Sequence, residues 1–129
     1  MRRAKTVATF VHPLLMLGCL VLFVLRAMHT FDPKVVILSR EITDHISNFA
    51  LSLVLCALVG FVLIALGAKL KAALAVCALV LAANVIYEMF LPFLNTQDPV
   101  DAVYGIVGTL AGAVYVCWLD RFGFMPKAQ

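Results

Sequence analysis

Four apolar runs of about twenty residues each, joined by polar connections, make up about two thirds of this 129-residue chain and constrain it more than any other feature. A run of that length crosses about 30 Å of hydrocarbon only as a helix, because lipid offers the backbone no hydrogen-bonding partner. The runs cover about 7–25, 43–66, 72–94 and 100–119. They predict an all-α fold: one integral membrane domain over 1–129, built as a four-transmembrane-helix bundle with short loops. With 64% hydrophobic and only 13% charged residues, the chain has too little polar surface for a soluble globule.

The connections carry the usual punctuation of helix ends. Arg2, Arg3 and Lys5 precede the first run, which is longer than a signal-peptide core and lacks a small-residue cleavage site, so it reads as an uncleaved span. Pro13 fits a first turn or a mild kink. Asp32-Pro33 has the chemistry of a helix start and predicts a short interfacial helix through Val35 to Leu38. Gly67 stands where a helix ends in the left-handed conformation. Lys and Arg concentrate in the two termini and the 67–71 turn, which predicts that both termini are cytoplasmic. In that arrangement Asp32, Glu41, Asp44, Glu88, Asp98 and Asp101 lie at or near the outer side, and Asp120 alone lies inside. Cys19, Cys56, Cys77 and Cys117 fall in apolar runs without ligand spacing and read as small buried hydrophobes.

Glu88 is the residue that asks for an explanation. It interrupts the third apolar run roughly 9 Å below its outer end, where an ionised carboxylate is disfavoured unless a partner satisfies it. Asn84 lies one turn below it, and Asp44 and Asn48 repeat that spacing at the outer end of the second run, with His45 beside them. Bundling predicts a pocket open to the outer face and lined by Glu88, Asn84, Asp44, His45, Asn48, Asp98 and Asp101, with Arg26, His29 and Arg40 within reach. Duller readings compete. Asp98-Pro99-Val100-Asp101 is also a good helix N-terminus, and Gly105, Gly108 and Gly112 form a small-residue stripe suited to helix packing within the bundle or between copies.

The segment Asp44-His45-Ile46-Ser47-Asn48-Phe49, together with Glu88, Asp101 and the stripe Gly105, Gly108, Gly112, resembles the VanZ-like family of small bacterial membrane proteins over residues of about 40–115. The family's Gln one turn after the Glu is Leu91 here, Gly105 takes the place of its Asn, and its loop Arg is absent. The resemblance implies a four-helix protein of the bacterial inner membrane and cell envelope, linked in some members to glycopeptide antibiotic resistance. Three classes of function stay open: a pocket that binds a polar lipid headgroup, a cell-wall precursor or a glycopeptide-related ligand; a non-catalytic accessory subunit or homo-oligomer packed through the glycine stripe; and a carboxylate-dependent enzyme. No HExxH, GxSxG, phosphate-binding loop or Cys/His metal spacing occurs, so no catalytic residue, cofactor or metal is expected. The scattered basic residues argue against nucleic acid as a partner and leave the bilayer as the principal one.

Overall fold

The computed structural model of the chain describes residues 1–90 and 98–126. It is all-helical, with α1 at Thr6–Phe31, α2 at Arg40–Ala65, α3 at Leu70–Phe90 and α4 at Pro99–Trp118, which continues into a π-helical turn at Leu119–Gly123. All four helices are long and apolar enough to cross a membrane. The expected end of the third span at 94 lies outside the described residues.

α2 and α4 form the centre of the bundle and share its most extensive interface. They approach closely because small residues line the seam: a Cβ on Gly108 would sit 2.2 Å from the carbonyl oxygen of Phe49, and one on Gly112 would sit 2.5 Å from the Cβ of Cys56. Across the same seam Gly60 receives the side chain of Val116. Gly105 is instead covered by the side chain of Asn84 from α3. The glycine stripe therefore faces into the bundle. α1 and α3 flank this pair and leave residues such as Phe10, Leu14, Leu17 and Leu79 exposed, as lipid-facing helices do. Cys19, Cys56 and Cys77 are buried as expected, whereas Cys117 is exposed.

Two helix starts follow from short side chains. Asp98 accepts from the backbone N–H groups of Val100 (2.9 Å) and Asp101 (3.4 Å), and Pro99 takes the first helical position. Ser39 accepts from the N–H of Ile42 and starts α2 at Arg40, earlier than the apolar pattern suggests. Gly67 closes the α2/α3 turn at φ 86°.

The first connection departs from expectation. Asp32-Pro33 does not begin a helix: α1 runs on to Phe31, and Asp32 is its C-cap, donating its N–H to the Met28 carbonyl at 2.8 Å. The Asp32 side chain instead accepts from the N–H of Lys34 and turns the chain. Residues 35–38 are not helical, because Thr43 Oγ1 accepts from the Ile37 N–H at 2.7 Å and ties the loop to α2. α1 outlasts its apolar run because Arg26 and His29 both find partners beyond it.

The opposite end is closed by the two chain ends. Arg2 donates its N–H to the carbonyl of Ala65, Ala4 pairs with Phe124, and the Arg2 guanidinium engages both the carboxylate and the carbonyl of Asp120. Beneath this closure Phe124 is fully packed against Phe61. Arg2, which looked like a topology signal alone, also fastens the end of the bundle.

Candidate functional site

At the other end of the bundle three groups of polar side chains are built around the head of α2. Successive helical residues diverge by about 100°, so Asp44 and His45 address different neighbours. Asp44 turns to α1, with Oδ1 3.5 Å from His29 Nε2 and 4.0 Å from Arg26 Nη2, while Arg26 Nε donates to the Asp44 carbonyl at 3.0 Å. His29 is buried, with Nδ1 2.7 Å from the carbonyl of Val35 and Nε2 on the side of Asp44.

His45 turns to α4. Its Nδ1 lies 2.8 Å from Asp101 Oδ1 and 3.8 Å from Asp98 Oδ2, and its ring leans against Tyr104 at 5.6 Å between centroids. The cap residue Asp98 thus has a second task besides starting the helix. An imidazole held by a carboxylate can serve as an oriented base or as a metal ligand. One ligand atom from each of His45, Asp98 and Asp101 lies within 4.8 Å of the others, a grouping that no linear spacing announces.

The third group lies between α2 and α3. Asn48, Ser52, Asn84 and Glu88 share a cleft of about 470 Å³ with Leu51, Leu55, Val80, Ala83, Ile86 and Tyr87. Glu88 is only 3% exposed. Leu51, Leu55, Ile86 and Tyr87 are exposed, so the cleft is open on the outside of the bundle. Ser52 sits at the midpoint of α2 and accepts a long hydrogen bond of 3.5 Å from Asn84 Nδ2. The Asn84 Oδ1 is buried and has no hydrogen-bond partner among the described residues. Turning the amide over would exchange an orphan acceptor for an orphan donor, so one end of Asn84 stays unmatched either way.

Compared with protein-family profiles, curated proteins and solved structures, the chain matches none. Its function is therefore argued from these three groups.

Of the residues singled out in the sequence, Asn48, Asn84 and Glu88 meet in the cleft; His45, Asp98 and Asp101 meet at the start of α4; and Asp44 of α2 meets Arg26 and His29 of α1. Arg40 is exposed at the first position of α2 and joins none of these groups. Ser52 completes the group in the cleft. Ser52 extends the four-residue spacing of Asp44 and Asn48 by one more turn, a signal present in the sequence and passed over. His12 also acquires a partner within the spans: Nδ1 lies 2.9 Å from the Tyr115 hydroxyl, and its ring stacks on Phe61 at 4.2 Å. Nothing in the local sequence around His12 points to Tyr115, a hundred residues away.

Proposed function

We propose that this chain is a multi-pass protein of the bacterial cytoplasmic membrane, of the VanZ-like kind that its sequence resembles, with cytoplasmic termini and a binding groove for a hydroxyl-bearing lipid or lipid-linked cell-envelope intermediate. The observation that carries the reading is Asn84, which lines a cleft whose rim is apolar and exposed and whose buried Oδ1 has no hydrogen-bond partner among the described residues. A buried polar group without a partner is costly, and more so where no water is at hand. A hydroxyl both donates and accepts and so meets either orientation of the amide. Leu51, Leu55, Val80 and Ile86 suit an acyl or prenyl chain alongside, and Glu88 and Ser52 add further contacts to the polar group. An accessory role finds less support, since the glycine stripe that would serve a partner is used inside the bundle.

Native mass spectrometry of the full chain released from lipid nanodiscs tests this. A retained lipid at one per chain, diminished by Asn84→Leu and Glu88→Gln but not by Leu79→Ala on the lipid face of the same helix, is the expected outcome. Equal lipid retention by all four proteins, or a larger protein held in place of lipid, rules the reading out.

A further inference from the structure

We propose that His45, Asp98 and Asp101 bind one divalent transition-metal cation at the junction of α2 and α4. The proposal does not depend on what occupies the α2/α3 groove. Its basis is convergence: an imidazole from α2, the cap residue of α4 and a first-turn residue of α4 bring three ligand atoms within 4.8 Å of one another.

The spacing suits an ion after small adjustments. Bonds of about 2.1 Å in tetrahedral geometry set neighbouring ligand atoms about 3.4 Å apart. The His45 to Asp98 separation of 3.8 Å would close slightly, and the His45 to Asp101 separation of 2.8 Å would open by about 0.6 Å. Side-chain torsions alone can supply both movements. Asp98 is already oriented for the task, because its Oδ1 takes the N–H groups of Val100 and Asp101 while Oδ2 is the oxygen that faces His45. Such hydrogen bonds behind a ligand are what hold a metal-binding carboxylate in place.

Charge favours the same conclusion. Two carboxylates converge on a single ring nitrogen, and an imidazolium there neutralises only one of them, whereas a divalent ion balances both and leaves the imidazole neutral. The dipole of α4 opposes a cation at its N-terminus, but with partial charge against two full ones. One nitrogen with two carboxylate oxygens suits zinc, manganese or iron better than calcium or magnesium, which prefer more ligands and oxygen alone.

A second feature points to a ligand at this junction. An apolar recess of about 270 Å³ between α2 and α4 is lined by Ile46, Phe49, Val103, Tyr104 and Val107, and Tyr104 is the residue that leans on His45. Three protein ligands leave coordination positions open, and Tyr104, which touches both His45 and the recess, links the site to room for an apolar group.

Titration of the purified, tag-free full chain in detergent with zinc, manganese and cobalt, followed by calorimetry and metal analysis, tests the site. About one ion per chain should bind, His45→Gln and Asp101→Asn should each weaken binding at least about tenfold, and Asp32→Asn, an acid on the first loop, should leave it unchanged. Cobalt bound to the unaltered chain should show the visible bands of nitrogen and oxygen ligation without thiolate charge transfer, a readout that needs no variant to fold. A thiolate band, saturation only above about 1 mM, or affinity indifferent to both substitutions overturns the proposal.

Discussion

Replacing Gly108 by alanine should loosen the bundle more than any other single methyl group added to it. The new Cβ would lie 2.2 Å from the Phe49 carbonyl oxygen and 2.9 Å from both the carbonyl carbon and Cα of that residue, where ordinary contact begins near 3.4 Å. The obstacle is backbone within a helix, so no rotamer change relieves it, and α4 must retreat from α2 by a little over 1 Å. That retreat also opens the contacts of Gly112 with Cys56 and of Gly60 with Val116 along the same seam. Overpacking of this kind costs about 1–3 kcal/mol, and an unyielding neighbour puts the expectation at the upper end, about two decades in the folding equilibrium. Gly18→Ala is the matched control, since its Cβ meets nothing within 4 Å and the substitution should raise helix propensity by up to about 1 kcal/mol. Unfolding in mixed micelles of increasing sodium dodecyl sulfate can be followed through Trp118, the single tryptophan, which stacks on Tyr115 at the end of α4. If Gly108→Ala unfolds at the same midpoint as the unaltered chain or as Gly18→Ala, the close α2/α4 seam is not how this protein packs.

Gly105→Ala should act differently: its Cβ meets the Asn84 amide 1.8 Å away, a side chain that can move, so the variant should stay folded while losing groove-bound lipid in native mass spectra. Adding Asn84→Ala to it should bring no further loss of lipid, because one change displaces and the other removes the same amide. Asp120→Asn weakens the charge-assisted contact that fastens Arg2 over the end of the bundle and should cost about 1–2 kcal/mol in the same micellar assay, with proteolysis of the amino-terminal residues as an early sign. In a background stripped of its native cysteines, Lys34→Cys should react with an impermeant maleimide in intact cells and Ala68→Cys only after lysis; the reverse pattern inverts the proposed orientation.

Much of the fold was open to reading because a bilayer ties span length to composition without reference to tertiary contacts. The Asp98 cap, Pro99 and Gly67 fall where local rules put them. Other features depended on distant partners. α1 continues past Arg26 only because Arg26 and His29 reach Asp44 and Val35, and Asp32-Pro33 lost its expected role to Ser39, whose hydroxyl caps α2 seven residues later. At the site, the polar residues could be assigned to one end of the bundle, but their division into three groups follows from the rotation of α2 about its axis. Packing sets that rotation, and nothing in a single sequence states it. Asn84 illustrates the point: its depth could be counted along α3, whereas its position over Gly105 and beside Ser52 could not.

The tight pairing of α2 with α4 has a consequence for how the protein is made. A chain emerging from the ribosome delivers α1, α2 and α3 before α4 exists, and yet the interface that consolidates the bundle joins the second helix to the last. Until Pro99 and the residues after it have left the insertion machinery, His45 has neither Asp98 nor Asp101 to hold, and the backbone at Phe49 has no glycine against it. Newly made molecules thus pass through a stage in which the polar head of α2 is exposed to lipid or to assembly factors. A molecule whose translation stalls before α4 keeps the α4-facing side of α2 uncovered.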